Sequence, residues 1–237
     1  MDASQGEKIL RYQNFYRTYS RLAFTNWFDR PLGIDGLQSR LLRAMRAKGG
    51  FGVLEDPKSK GLLRRSLLWR RGQDTSSLSR IKFPSEAAIS AVPSWSWMAY
   101  MGSIDYLDVK FGGIVWCDIR SPWSRDLEGG HGGTEGRGLS LFLTAEARAY
   151  TVDPTLAGSE SQVIFDSPGG SKQSETMCVV LGRERGRGDL GSMLHYLLII
   201  TQTASQQQEG YKVYERVGVG YLPGRCISQS GETVNIC

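Results

Sequence analysis

Near Arg80 the spacing of apolar residues changes, and no other feature of the sequence restricts the fold as much. Ahead of that point apolar residues recur at helical intervals. Ile9, Leu10, Tyr12, Tyr16 and Tyr19 form a stripe that predicts a helix from about Gly6 to Tyr19. Pro31, in "NWFDRPLG", breaks the pattern. A second helix is expected to start at Asp35, a suitable N-cap, with Leu37, Leu41, Leu42 and Met45 on one face and Gly49-Gly50 ending it. "SKGLLRRSLLWRRG" reads as a short helix leading into a strand. Beyond Arg80 the apolar segments are short, β-branched or aromatic, and separated by Gly, Pro and Ser. "SRIKF", "VPSWSWMAY", "GGIVWCDI", "LSLFLTAEARAYTV", "SQVIFD", "MCVVLGR", "HYLLIITQT" and "YKVYERVGVGYL" therefore read as a strand series.

The expected fold class is α+β. A helical N-terminal part, residues 1–71, packs on a larger, mainly antiparallel β-rich domain, residues 72–237, and the two form one cooperative unit. The glycine-rich, charged stretch 125–138 is expected to be an exposed loop, as are the polar stretches from Gly169 to Thr176 and around "ASQQQEG". With 40% hydrophobic residues, the chain can bury a real core. Its longest apolar run, "YLLII", is far shorter than the roughly 20 residues of a membrane helix. The first residues show no secretory h-region, so the expected location is the cytoplasm, with no membrane partner.

Cys117, Cys178, Cys226 and Cys237 are scattered, without the close pairs a zinc site uses, and read as free thiols. No metal and no cofactor are expected. Residues 1–90 carry 17 Lys/Arg against 8 Asp/Glu, so the first part is strongly basic. No RNP, zinc-finger or helix-turn-helix pattern accompanies that charge, which favours a solvated or protein-docking face over nucleic acid. "CVVLGRERGRG" lacks the spacing of either phosphate-loop motif and reads as an arginine-rich hairpin tip. His195 is expected to meet solvent or a backbone partner. His131 falls in the glycine-rich loop.

"VPSWSWMAY" brings two tryptophans within three residues. In an extended segment Trp95 and Trp97 would share one face, and the economical reading is that both indoles pack on the N-terminal helices. The alternative is a ligand slot lined by Trp95, Trp97, Tyr100, Tyr106 and Trp116. Asp105 or Asp108, the nearest close carboxylate pair, would then handle a proton. Turn and strand-end chemistry also accounts for those two carboxylates.

Taken in order, "FYRTYSRLAFTNWFDRPLGIDGLQSRL", "GGFGVLED", "LLRRSLLWRRG", "VPSWSWMAYMGSIDYLD", "FGGIVWCDIRSPW", "MCVVLGR", "HYLLIITQT" and "YERVGVGYLPGRCI" resemble fungal heterokaryon-incompatibility (HET) proteins. The resemblance is to the region that follows their HET domain, and motifs of the "S-Y-x-W-G" and "D-x-x-C-I" kind that mark that domain do not occur. What the resemblance implies is a non-enzymatic recognition or regulatory module in fungal non-self recognition or programmed cell death. Its partner would be another protein or a missing N-terminal HET domain. The alternative is a cofactor-independent cyclase or isomerase of fungal secondary metabolism, acting on a small apolar molecule.

Overall fold

The computed structural model describes residues 3–84, 91–127, 141–156, 161–169, 175–186, 189–203 and 212–237. The expected loop 125–138 lies outside them from residue 128 on. So do His131, the stretch 170–174 and all of "ASQQQEG".

Helix α1, Ala3–Ser20, follows the predicted stripe, burying Ile9, Tyr12 and Tyr16 at full turns of one another. Helix α2 runs over Arg30–Met45, five residues earlier than the Asp35 start expected from the sequence. Pro31 does not break it. A proline in the first turn loses no hydrogen bond there and arrives with a helical φ. The far end also differs from expectation. Arg46 takes the left-handed conformation at φ 51°, with its N–H on the Arg43 carbonyl and that of Ala47 on the Leu42 carbonyl. This is a Schellman stop with an arginine where glycine usually sits.

Gly49 and Gly50, expected as the stop, instead belong to β1, Lys48–Gly50, which pairs with β2, Val53–Glu55. Phe51 and Gly52 connect them at φ 53° and 76°, both positive, as a two-residue hairpin turn requires. A Cβ at Gly52 would lie 2.1 Å from Trp97 Nε1, so glycine is needed there for contact as well as for φ. Helix α3, Gly61–Leu67, is buried at every position and leads into β3, Trp69–Arg71, as predicted.

Three short strands follow around the Trp motif: β4, Ser79–Arg80; β5, Tyr100–Met101; and β6, Ile104–Tyr106. β3 pairs with β6 and β4 with β5, both antiparallel. The remaining strands are β7, Ile114–Trp116; β8, Leu143–Tyr150; β9, Gln162–Phe165; β10, Thr176–Glu184; β11, Leu194–Gln202; β12, Val213–Pro223; and β13, Ile227–Ile236. Together they form one seven-stranded sheet in the order β11-β10-β8-β13-β12-β9, with β7 on β10. Because β11 also pairs with β12, five of these strands close into a ring of pairings, which leaves them no free edge. Among the described pairings only β12–β13 is parallel, so the fold is α+β with a mainly antiparallel sheet. β13 was not among the expected strands. Its middle, Gln229–Thr233, is polar and exposed, so its sequence shows no apolar alternation. Among the described residues no helix is long and apolar enough to cross a membrane.

Two large cores lie side by side. One joins the inner face of the sheet, including Leu143, Val179, Leu198 and Ile236, to Leu63, Leu67 and Trp95. The other lies between α1, α2 and the short strands and holds Tyr12, Tyr16, Trp69, Trp97 and Tyr106. A third, smaller cluster on the outer sheet face contains Cys178, Leu197, Ile199 and Leu222.

Burial pushes the Tyr12 hydroxyl up to about 12 from an ordinary 10.0, and those of Tyr16, Tyr100 and Tyr106 also rise for the same cause. The folded state thus holds four phenols neutral at a pH where the unfolded chain ionises them. Their preference for the fold is complete below pH 10 and is lost as pH climbs toward 12 and beyond. Melting temperature should therefore hold near about pH 8 and fall steeply above about pH 10, together with a single cooperative rise in tyrosinate absorbance. A gradual absorbance rise with no loss of melting temperature would contradict this burial.

Candidate functional site

Neither tryptophan of "VPSWSWMAY" lies on a regular strand. Ser94–Ser96 turn, Trp97–Ala99 form one 3-10 turn capped by Ser96 Oγ on the Met98 N–H, and the strand begins only at Tyr100. The shared-face expectation therefore fails, because period-two alternation applies only to extended backbone. Both indoles are 0% exposed, but they enter different cores. Trp95 packs against Phe51 and Trp123 at 6.4 and 5.9 Å between centroids and donates from Nε1 to the Leu141 carbonyl at 3.0 Å. Trp97 meets Tyr16 at 5.3 Å, with the Arg30 guanidinium 4.8 Å over its ring. The motif is thus a two-ended bolt.

Its serines complete the clamp. Ser94 Oγ donates to the Cys237 carbonyl and accepts from the Arg216 N–H at 2.9 Å, and Ser96 Oγ donates to the Phe51 carbonyl at 2.6 Å. Part of the basic charge expected on the surface is also interior. Arg30, Arg64 and Arg65 are buried and donate to backbone carbonyls: Tyr100, Ser20 and Gly102; Cys117, Lys60 and Ile119; Val109 and Lys110. A guanidinium suits this, having five donors and a flat face for aromatic rings. Burial lowers the Arg30 pKa to about 10, so it keeps its charge at neutral pH. Arg40, Arg43 and Arg46 of α2 remain exposed.

The five proposed slot residues do not line one common cavity. Tyr100 has its hydroxyl 3.2 Å from the Ser94 carbonyl and borders a small cleft of about 230 Å³ with Leu78, Arg80 and Asp166. Trp116 lies under the Arg65 guanidinium, 5.2 Å from its ring centroid. Gly61 and Gly182 flank it so closely that added Cβ atoms would come within 2.7 and 2.6 Å of the indole. The Asp105–Asp108 pair is divided as well. Asp105 is taken up by Arg17 Nε at 2.9 Å, Arg21 Nη2 at 3.2 Å and the Gln73 N–H at 3.3 Å, which tie α1 to the β3–β6 pair. Asp108 is exposed on the wall of the largest described cleft.

That cleft, about 640 Å³, opens where the helical part meets the sheet, and Tyr106 joins Asp108 in lining it. Its other charged and aromatic wall residues were not foreseen: Arg70 from β3, Lys110, Glu184 from the end of β10, and the cross-strand partners Tyr196 and Tyr221. Tyr196 donates to Glu184 Oε1 at 3.3 Å, and Lys110 Nζ approaches the same oxygen at 3.1 Å. Burial first, and the Glu184 carboxylate second, push the Tyr196 hydroxyl up to about 12, so it remains a proton donor at neutral pH. A bulge in β10 between Val180 and Gly182 sets the register that brings Gly182 opposite Tyr196. These residues come from five separate segments, and only the "GRERG" charge cluster gave a local sign of one of them. Among the described residues no group of three His, Cys, Asp or Glu is arranged to hold a metal ion.

No protein-family model, curated protein or solved structure matches the chain.

Proposed function

We propose that this chain is a HET-related recognition module, working through protein contacts in fungal non-self recognition or cell-death control, with the junction cleft as its docking site. The observation that carries the cleft assignment is its lining. Tyr221 stands among Arg70, Lys110, Asp108 and Glu184 in an open trough whose floor is the nearly fully buried Tyr106 and Tyr196. Tyrosine and arginine supply most hot-spot energy in protein recognition, and interspersed charges of both signs select a partner by complementarity. The ordered resemblance of the motifs to HET proteins suggests that the partner is a HET domain.

Calorimetric titration of a purified HET domain from a full-length family member into this chain, at low salt, tests the proposal. Saturable binding is expected. Reversing the cleft charges with Arg70→Glu and Lys110→Glu should weaken it on the order of tenfold while the chain stays folded. Absence of binding, or binding indifferent to both reversals, sinks the assignment.

The hydrogen-bonded Tyr196–Glu184–Lys110 chain favours a second reading, a cofactor-independent isomerase or cyclase using that chain as its proton path. Glu184→Gln separates the two. It would abolish turnover of a small apolar substrate, whereas recognition by the trough as a whole would survive it in reduced form.

A further inference from the structure

Successive side chains of a strand point to opposite faces, so the neighbours of the cleft residues Glu184 and Tyr196 face the other way. Those neighbours are Arg183 and His195, which are themselves register partners across β10 and β11. Both line a separate cleft of about 460 Å³ on the outer face of the sheet. Arg148 enters it from β8, where it partners Cys178, and Arg225 from the turn Gly224–Cys226. We propose that this outer cleft binds the phosphate group of a small phosphate ester, held by Arg183, Arg148 and Arg225 around His195. The site is independent of the junction cleft and of its proposed partner.

Among the described residues, three guanidiniums and an imidazole line the cleft and no carboxylate does. Cations brought together without acids repel one another, and a dianion placed among them removes that cost. The nearby acids offset only part of the charge. Arg148 donates to Glu146 Oε2 at 3.0 Å and to the Ser228 carbonyl at 3.4 Å, Arg225 acts on the partly buried Asp153, and the Asp189 carboxylate stands beside Gly191 of the cleft wall. Arg183 has no ion pair among the described residues, although it is partly buried. The convergence also shows on His195. Burial comes first among the effects that hold it below its ordinary value, and the charges of Arg183 and Arg148 add to it.

The imidazole is fixed. Its Nδ1 lies 2.9 Å from the Met193 carbonyl, to which it donates, so Nε2 of the neutral ring carries a lone pair and becomes a donor to an anion only when the ring is protonated. The turn carrying Arg225 closes directly on this ring. The Gly224 N–H reaches the Met193 carbonyl at 3.0 Å and the Arg225 N–H the Gly191 carbonyl at 2.8 Å. A Cβ at Gly224 would stand 2.7 Å from His195 Cε1, so no side chain fits between turn and ring. Val180, Leu190 and Ile227 provide an apolar wall beside the cations. A bounded cleft with that wall suits the organic body of a small ester better than a nucleic-acid backbone, which needs a continuing line of cations.

The test is calorimetry on the full chain in phosphate-free buffer with phenyl phosphate, inorganic phosphate, benzoate and phenol as separate titrants. Phenyl phosphate should saturate, more tightly than inorganic phosphate or benzoate, and phenol should give no binding. Arg183→Gln should weaken phenyl phosphate about ten- to a hundredfold, as expected for a charged hydrogen-bond donor. Arg225→Gln, at an exposed turn position, is a second variant whose folding is not at risk. Lys110→Gln, in the other cleft, should leave the affinity unchanged. Binding that survives both arginine variants, or no saturation by any anion, overturns the proposal. Equal affinity for inorganic phosphate and phenyl phosphate overturns the ester part of it.

Discussion

Alanine at Trp95 or at Trp97 should each cost about 3–5 kcal/mol, against a total stability of about 5–15 kcal/mol for a domain of ordinary size. Both side chains are 0% exposed and neither lines a described cleft, so nothing offsets the void that truncation leaves. The expected symptom is loss of soluble protein for the double variant and a large drop in urea midpoint for each single one. A further result separates the bolt from a shared-face pair. The two indoles belong to different cores but share Phe51 as a neighbour of both, so their coupling should be small, near about 0.5 kcal/mol, and should run through Phe51. Phenylalanine variants make the cycle measurable, because they keep most of the ring. A folded double-alanine variant with an unchanged midpoint would end the packing account.

Arg216 carries the second large effect. It is 1% exposed and grips Asp166 with two donors, Nε at 2.9 Å and Nη2 at 3.1 Å. Its remaining donors reach the carbonyls of Leu67 at 2.9 Å and Trp69 at 2.6 Å, and its guanidinium lies over the Trp69 ring. One side chain of β12 thereby ties the sheet to α3 and β3. Arg216→Met strands the Asp166 carboxylate, which is 4% exposed, and should cost about 3–5 kcal/mol. Removing both charges with Arg216→Met and Asp166→Leu should recover part of that loss, because no unpaired charge then stays buried. High salt should leave the contribution almost untouched, since the pair is out of reach of counter-ions. A single variant within about 1 kcal/mol of the parent would show that the pair does not hold the layers together.

How much of this was legible varies by residue. The stripe Ile9, Tyr12, Tyr16 predicted α1 closely, because helical period and burial agree there. Pro31 misled the reading of α2, since a proline marks a break or a first turn and only the surrounding chain decides which. Gly49 and Gly50 looked like a helix stop but serve the hairpin that carries Phe51 and Gly52 to the Trp motif. β13 escaped notice because the closed ring of pairings, not apolar alternation, holds its polar middle in place. In the junction cleft, Tyr106 and Asp108 were singled out from the sequence, whereas Arg70, Lys110, Glu184, Tyr196 and Tyr221 were not.

By itself the sequence determined the α+β class and the helical part preceding the strands, and it favoured burial of the paired tryptophans over a ligand slot. Each of these follows from local periodicity or from the cost of exposing a large apolar ring. Tertiary structure alone decided that Trp95 and Trp97 part into two cores, and that arginines of a basic segment spend their charge on interior carbonyls. It also decided that Arg183 and Glu184, adjacent in sequence, serve opposite clefts. Those outcomes depend on strand register, on one bulge and on which backbone groups remain unpaired at each junction, and such quantities exist only once distant segments have met.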